Sequence, residues 1–220
     1  MSTSTRIYDL TLPIAHGMDA FPGEPTATFT RFSTIEDGGI EMWAVGLFSQ
    51  LGTHVDAPRH FLADAATVES LDLSACIGPA TVLDVPDDRD VSRADVLARA
   101  EQIRDTGRLL LRSGWSRRYG SSGFWAGFPE IGPDIADVLV DLGVRFLGID
   151  TPTPSVAHLH DVHRRLLGAG TVIAECLTGL EQLSTTTYLV CLPLPLVGLD
   201  GAPARIVAIE PAPRLPENPL

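Results

Sequence analysis

Side chains that could bind a metal ion are concentrated in one short segment of the chain. The segment holds Gln50, His54, Asp56 and His60. Alternate side chains of an extended backbone lie on one face, so we expect all four to point to the same side. Pro58 supports this expectation because proline disfavours a helical conformation at the preceding residue. Imidazole and carboxylate ligands without thiolates favour a catalytic Zn²⁺ or Mn²⁺ ion over a structural zinc site.

Two further candidate ligands follow later in the chain. His163 lies in a predicted helix, and Glu175 ends an apolar segment that is predicted to be a strand. A carboxylate at the end of a buried strand requires a charged partner or a metal ion, because burying an unpaired charge is costly. The competing interpretation is that His163 and Glu175 are ordinary polar groups in contact with solvent.

Four aromatic side chains are candidates for a flat, apolar pocket that would bind an aryl substrate. They are Phe21, Trp43, Trp115 and Trp125. Three of them lie in long loops that contain glycine and proline, and ordered loops of this kind often cover a binding site. Packing in the hydrophobic core is the alternative for each of the four.

Hydrophobic periodicity predicts the elements that must position these residues. Strands are predicted at Thr28–Phe32, Glu41–Ser49, Thr81–Val85, Leu109–Arg112, Val144–Ile149, Thr171–Glu175, Thr187–Leu192 and Ile206–Ile209. Helices are predicted at Ser92–Gln102, Pro133–Leu142 and His158–Leu167. Strands and helices are mixed without a regular alternation, which indicates a single domain with an α/β or α+β fold.

Length and charge limit the classes of function. The 220 residues fit one domain, expected to span 1–220 with an extended proline-rich tail at 211–220. The formal net charge is −12, from 28 acidic and 16 basic residues. A negative field repels nucleic-acid phosphates and anionic membranes, so we expect neither as a partner. The site residues instead make a small-molecule substrate the expected partner. The chain contains no lysine, which excludes Schiff-base chemistry and a phosphate-binding loop lysine.

The cysteines and the start of the sequence predict a cytoplasmic protein. Cys76, Cys176 and Cys191 lack metal-ligand spacing, and an odd number does not suggest a disulfide framework. The sequence starts without an apolar signal segment, and its longest apolar run, Tyr188–Leu199, is interrupted by prolines. We therefore expect neither a signal peptide nor a membrane span.

Several motifs together resemble one protein family. They are Asp9–Ile14, Phe21–Gly23, Gly52–Phe61, Ser113–Trp115, Gly148–Thr151, and His163 followed by Glu175. In this pattern the chain resembles the metal-dependent cyclase family, which includes bacterial kynurenine formamidases and isatin hydrolases. The resemblance covers nearly the whole chain. It implies a swivelling β/β/α fold and assembly as a homodimer or homotetramer.

The resemblance also implies roles for the candidate residues. His54, Asp56, His163 and Glu175 would ligate one or two ions, and His60 would be the general acid/base. The family has a histidine where this chain has Gln50, whose amide oxygen is a weaker, neutral ligand. This departure leaves open the number of ions and the preferred metal.

Three functions are consistent with these residues. The first is a hydrolase that cleaves the amide C–N bond of a small aromatic formamide or lactam, with the metal activating water. The second is a biosynthetic cyclase or dehydratase that uses the same metal site for ring closure. The third is a non-catalytic binding protein with a decayed metal site. Retention of all the candidate ligands other than the first histidine, together with His60, favours an enzyme.

Overall fold

The computed structural model describes residues 4–213, so the part of the predicted tail from 214 onwards lies outside the described residues. The strands of the described chain are β1 (Arg6–Asp9), β2 (Thr28–Ser33), β3 (Met42–Gly46), β4 (His54–Asp56), β5 (Ile77–Asp84), β6 (Arg108–Arg112), β7 (Phe146–Ile149), β8 (Val172–Glu175), β9 (Thr186–Pro193) and β10 (Gly201–Glu210). The helices are α1 (Ile35–Gly38), α2 (Leu73–Cys76), α3 (Arg93–Leu97), α4 (Ala100–Thr106), α5 (Pro133–Asp141) and α6 (Leu159–Gly168). Short 3₁₀ turns lie at Pro58–His60, Val68–Ser70, Trp115–Arg118 and Leu180–Gln182.

The main sheet is mixed and closes on itself. Its strand order is β1-β10-β4-β8-β7-β6-β5-β9, and β9 pairs with β10 as well as with β5. Strands β5, β6, β7 and β8 are parallel to one another, whereas the pairings that involve β1, β4, β9 or β10 are antiparallel. Because β10 hydrogen-bonds on both edges, the ring of strands forms a barrel with no free edge between β9 and β10.

Alternate residues of the strands serve two hydrophobic cores. On β6, Leu110 packs in the cluster that fills the barrel, together with Val55 of β4. Leu109 and Leu111 pack on the opposite side, in a cluster with the apolar faces of α3 to α6. This alternation follows from the two-residue period of a strand. It places the outer faces of β4 and β8 on the side of the sheet that α6 covers.

A separate two-stranded hairpin, β2 paired with β3, is largely exposed. Large apolar side chains lie on its surface, including Phe32, Ile40, Trp43 and Val45, which are 48–75% exposed. The hairpin does not share hydrogen bonds with the main sheet in the described residues.

The mixed α/β fold that the sequence predicts is confirmed. Ser92 caps α3, and its side chain and that of Asp95 form a reciprocal capping box. The expected single helix at 92–102 is two helices, because Arg99 leaves the helical region with φ −124° and ψ 17°. The short edge strand β1 was not predicted. No helix within residues 4–213 is long and apolar enough to cross a bilayer.

Candidate metal centre and active site

Three candidate ligands lie where β4 pairs with β8. His54 is directly opposite Glu175 in the antiparallel register, and Asp56 is opposite Ile173. His54 and Asp56 share one face of β4, and Val55 between them points into the barrel. The three polar side chains are buried, so their charges must be balanced inside the protein.

Helix α6 brings the second histidine to this face of the sheet. His163 is 1% exposed, and its ring stacks on Phe61 with 4.2 Å between centroids. His163 Nδ1 donates to the Leu159 carbonyl at 2.7 Å, and His54 Nδ1 donates to the Gly52 carbonyl at 2.8 Å. Because each Nδ1 is occupied as a donor, both rings direct Nε2 to the carboxylates, as metal-ligating histidines do.

The two imidazoles and two carboxylates form two matching sets of contacts. His54 Nε2 lies 3.6 Å from Asp56 Oδ1 and 3.4 Å from Glu175 Oε2. His163 Nε2 lies 3.6 Å from Asp56 Oδ2 and 3.4 Å from Glu175 Oε1. Each carboxylate therefore presents one oxygen to each histidine. Donor atoms around one tetrahedral Zn²⁺ are about 3.3–3.5 Å apart, so these separations suit metal ligands.

The buried groups shift the protonation of one another. Burial and the nearby Glu175 carboxylate raise the pKa of Asp56 to about 6. Burial also acts to raise the pKa of Glu175, but hydrogen bonds with His163 and His54 outweigh it and hold that pKa at about 2. Burial acts to lower the pKa of His54, but the contacts with Glu175 and Asp56 raise it to about 9. The cluster thus attracts positive charge, which a proton or a metal cation can supply.

The chemistry of the donor set fits a divalent metal ion. Both carboxylate oxygens of Asp56 are buried without a hydrogen-bond donor, which is costly unless a cation neutralises them. Asp56, His163 and Glu175 each offer a ligand atom within 4.8 Å of the others, and His54 adjoins both carboxylates. Nitrogen and oxygen ligands without sulfur are compatible with zinc or manganese.

Left-handed backbone conformations on either side of the cluster direct its ligands. Gly52 has φ 61°, and its carbonyl accepts the hydrogen bond from His54. Cys176, directly after Glu175, has φ 55°, and its carbonyl accepts a hydrogen bond from Thr53 Oγ1 at 2.7 Å. A non-glycine residue in this conformation is strained, and such strain is concentrated at functional sites.

A cavity of about 200 Å³ opens beside the ligand cluster. His54, His163 and Glu175 form part of its wall, together with His60. The volume is below the about 300–1,000 Å³ of most small-molecule pockets, which favours a compact ligand.

Aromatic rings form another wall of the cavity. Phe21 and Trp125 meet edge to face with 5.7 Å between centroids, and Phe61 lies near the ligand cluster. Trp125 Nε1 donates to Asp19 Oδ2 at 3.0 Å, which fixes the orientation of the indole. Glu24 adds a carboxylate to the cavity wall. The structure therefore brings two of the four predicted aromatic residues to the cavity.

The other two tryptophans do not line the cavity, and this corrects the prediction for them. Trp115 is 2% exposed, packs with Phe124 and Phe128, and donates from Nε1 to the Phe124 carbonyl at 2.7 Å. This packing supports the loop segment that carries Trp125. Trp43 lies on β3 of the exposed hairpin, with 48% of its surface accessible.

His60 and Gln50 both line the cavity, but they do not lie on one extended strand with His54 and Asp56. Within that segment only β4 is a strand, and Pro58–His60 form a 3₁₀ turn, so the prediction that one strand face carries all four side chains is wrong. His60 Nδ1 lies 2.9 Å from Asp200 Oδ2, and Gln50 Nε2 donates to the same oxygen at 2.8 Å. Sequence analysis missed Asp200, because it lies in the loop before β10 and no spacing relates it to His60.

Comparison with known proteins decides the family. A family model described as a putative cyclase matches residues 8–156. The chain belongs to the cyclase family. The chain is also 32% identical, over 202 residues, to the kynurenine formamidase of Geobacillus thermodenitrificans. This alignment covers 90% of the present chain and 94% of the relative. The kynurenine formamidase of Bacillus cereus is 32% identical over 217 residues, covering 94% of this chain and 98% of the relative.

Solved structures of the cyclase family share the fold. One described as a potential metal-dependent hydrolase with cyclase activity has a TM-score of 0.79 and 28% identity, covering 96% of this chain and all of the other. Isatin hydrolase A from Labrenzia aggregata has a TM-score of 0.80 at 24% identity, covering 93% of each chain, and supports the fold alone.

Membership of the cyclase family confirms the expectation of an enzyme. The kynurenine formamidase relatives indicate a hydrolase that acts on carbon–nitrogen bonds. The buried aspartate, histidine and glutamate cluster, together with a neighbour described as a metal-dependent hydrolase, indicates a metal ion.

Proposed function

We propose that this protein hydrolyses the amide C–N bond of a small aromatic formamide or lactam. The observation that carries the proposal is a single cavity where a metal-type ligand cluster, an imidazole outside that cluster and an aromatic wall meet. The kynurenine formamidases that the chain resembles in sequence support an aryl formamide, and a lactam is proposed beside it only because isatin hydrolases share the fold.

We propose that one or two Zn²⁺ or Mn²⁺ ions are held by His54, Asp56, His163 and Glu175. The matching contacts of the two histidines with both carboxylates support ligation by all four side chains. When bound, a divalent cation supplies Lewis-acid polarisation of a carbonyl and lowers the pKa of water.

His60 is the proposed general acid and base. Its Nδ1 is engaged by Asp200, so Nε2 remains available on the cavity side. This nitrogen takes a proton from the attacking water as the new C–O bond forms. It then delivers that proton to the leaving nitrogen as the C–N bond breaks.

The aromatic wall positions the substrate. Phe21 and Trp125, together with Phe61, offer ring faces and edges to an aryl group. Their rings exclude water from one side of the cavity and orient the amide carbonyl relative to His60. A bound aryl ring therefore leaves its amide as the part of the substrate nearest the ligand cluster.

Ring closure or dehydration is the second candidate function. It is favoured by the description of the matching family model as a putative cyclase and of a structural neighbour as having cyclase activity. The same cavity and ligands would serve both reactions, which differ in whether water is a substrate.

Turnover of neutral aryl formamides and of isatin-like lactams by the metal-loaded protein tests the proposal. We expect product formation that a chelator abolishes and that added Zn²⁺ or Mn²⁺ restores. In H₂¹⁸O, hydrolysis places one labelled oxygen in the acid product, whereas cyclisation or dehydration places none. Absence of turnover of both substrate classes by fully loaded protein would refute amide hydrolysis.

We also propose a homo-oligomer, either a dimer or a tetramer, that uses the β2–β3 hairpin. Exposed apolar side chains on both strands and on the connecting segment support this, because monomeric proteins rarely leave a large contiguous apolar patch in water. Three free, buried cysteines support a reducing, cytoplasmic location.

A further inference from the structure

His60 is held by a carboxylate that does not belong to the metal-ligand cluster. Asp200 Oδ2 lies 2.9 Å from His60 Nδ1 and accepts a hydrogen bond from Gln50 Nε2 at 2.8 Å. We propose that Asp200 is the positioning residue of His60, and that Gln50 fixes Asp200 instead of binding a metal ion. The part of this inference that concerns turnover rests on the proposed function, whereas the part that concerns structure does not.

The contact with Asp200 determines which nitrogen of His60 carries a proton. Burial acts to raise the pKa of Asp200, but hydrogen bonds from Gln50 and Ser49 and the charge of His60 lower it below its ordinary value. Asp200 is therefore ionised at neutral pH and only accepts hydrogen bonds. Nδ1 of His60 must donate, so in the neutral ring Nε2 is the acceptor that faces the cavity. Carboxylates orient catalytic histidines in this way in hydrolases of unrelated folds.

Backbone hydrogen bonds through Ala57 hold Asp200 and His60 close to each other. The Asp200 carbonyl accepts a hydrogen bond from the Ala57 amide at 2.9 Å, and the Ala57 carbonyl accepts one from the His60 amide at 2.9 Å. The residue after Asp200 is Gly201, and its lack of a side chain lets Val55 and Gln50 lie close to the start of β10. A Cβ at Gly201 would lie 2.5 Å from the Val55 carbonyl oxygen and 2.6 Å from Gln50 Nε2. Asp200 and His60 are thus both tied to the end of β4, which also carries the ligands His54 and Asp56.

Gln50 takes part in this arrangement as a donor. Its Nε2 is 2.8 Å from Asp200 Oδ2 and 3.5 Å from His60 Nδ1. A carboxylate needs a donor, so the amide nitrogen rather than the amide oxygen must face Asp200. The carboxylate that Gln50 contacts is therefore Asp200, and not Asp56 or Glu175 of the ligand cluster.

The first experiment reads the tautomer of His60 directly and needs no substrate. Zinc-loaded protein with ¹⁵N-labelled histidine is compared with Asp200→Asn by two-dimensional ¹H–¹⁵N NMR, and His60→Ala assigns the signal. We expect the Nδ1–H tautomer in the wild type. The side-chain amide introduced by Asp200→Asn would offer its own N–H to the ring, so in the variant the population should shift to Nε2–H. Wild-type His60 in the Nε2–H form, or an unchanged tautomer in the variant, would overturn the assignment.

The second experiment separates positioning from folding and from metal binding. Asp200→Asn should lower kcat by about 10- to 100-fold, with KM within about twofold and metal content unchanged. Asp200→Glu should recover part of the lost kcat, because a carboxylate is retained. A kcat for Asp200→Asn within twofold of the wild type would refute the positioning role in turnover.

Gln50→Leu tests the second half of the inference. It removes the donor to Asp200 and replaces the amide with an apolar side chain of similar size. We expect full metal content by elemental mass spectrometry and a mixed His60 tautomer. Loss of metal from Gln50→Leu would show that Gln50 is a ligand. Failure of the proposed amide hydrolysis would appear as no turnover by the wild type, with the tautomer and metal results unaffected.

Discussion

Glu175 faces His54 across the antiparallel pairing of β8 with β4, and 3.4 Å separates Glu175 Oε2 from His54 Nε2. The register of two strands therefore sets the distance between two candidate ligands that are far apart in the chain. Asp56 follows on the same face of β4, and α6 adds His163 from above the sheet. Because the strands are fixed by backbone hydrogen bonds, the donor atoms are held in place before any ion binds.

Ligand and acid/base roles can be separated by metal content. His54→Ala removes one imidazole from the cluster and should lose most of the bound metal, whereas His60→Ala should keep it. His60→Ala should instead lower kcat by about 10²- to 10⁴-fold, the usual contribution of a general acid/base. Elemental mass spectrometry and steady-state kinetics on the same preparations measure both effects.

His158→Ala is the matched control for these two variants. His158 is exposed at the start of α6 and contributes no ligand atom to the cluster. It should retain both metal and activity. Full activity in His60→Ala, or full metal content in His54→Ala, would contradict the assigned roles.

Metal affinity should rise with pH because protons compete for the same ligands. Contacts with Glu175 and Asp56 outweigh burial and raise the pKa of His54 to about 9, so its Nε2 holds a proton below that pH and must release it to bind metal. The logarithm of the apparent affinity should therefore fall by at least about one per pH unit as the pH decreases from 9 to 6. Below about pH 6 the fall should steepen, because Asp56 also takes up a proton.

Competition with a chromophoric chelator between pH 5.5 and 9 measures this dependence. Calorimetry in buffers of different ionisation enthalpy counts the released protons independently. His54→Ala protein should show a shallower slope over pH 6–9. A wild-type affinity that does not change over this range would show that His54 is not protonated before metal binding.

Local patterns in the sequence predicted part of the geometry of the candidate ligands, whereas the residues that surround them could be found only from the fold. Alternation along a strand correctly placed His54 and Asp56 on one face, and the apolar segment before Glu175 correctly predicted a buried strand. The same alternation failed at His60, because Pro58 starts a 3₁₀ turn. Asp200 could not be found from spacing, since it comes near His60 only because β10, late in the chain, pairs with β4.

Aromatic residues were the least predictable part of the candidate site. Trp115 and Trp125 lie in the same loop, yet one is buried beneath it and the other lines the cavity. Composition gives the same expectation for both. The difference comes from packing of Trp115 against Phe124 and Phe128 and from the hydrogen bond between Trp125 and Asp19.

Truncation of the aromatic wall should weaken substrate binding more than catalysis. Phe21→Ala removes the ring that meets Trp125 edge to face, and should raise KM for an aryl formamide about 5- to 20-fold. The kcat should stay within about threefold, because His60 and the ligand cluster are untouched. Leu73→Ala, which shortens an exposed apolar side chain on α2, is the control and should leave both constants unchanged. An unchanged KM in Phe21→Ala would place the aryl group elsewhere.

The exposed apolar surface of the β2–β3 hairpin predicts that subunits associate through it. Val45 on β3 is 56% exposed, and Val45→Arg would place a charge in the proposed contact between subunits. Multi-angle light scattering should show an oligomer for the wild type and a shift to monomer for this variant. Val197→Arg is the matched control, because Val197 is 84% exposed outside the hairpin. A monomeric wild type, or an unaffected oligomer in Val45→Arg, would contradict an interface at the hairpin.

Glu24 should make the cavity discriminate among substrates by charge. Its carboxylate lines the cavity beside His60 and Glu175, and the lining contains no arginine among the described residues. A carboxylate on the substrate would meet repulsion at this wall, so neutral aryl formamides should be preferred over anionic ones. Glu24→Gln should raise kcat/KM for an anionic aryl formamide about 3- to 10-fold at low ionic strength, with little change for a neutral one.

Salt distinguishes this electrostatic effect from a change in cavity shape. At about 0.5 M salt the Debye length is roughly 4 Å, so the difference between Glu24→Gln and the wild type should shrink. Glu101→Gln, on the exposed face of α4, removes the same charge away from the cavity and should not alter the ratio. If Glu24→Gln raises turnover of neutral and anionic substrates equally, its effect is steric, and the charge of Glu24 does not select the substrate.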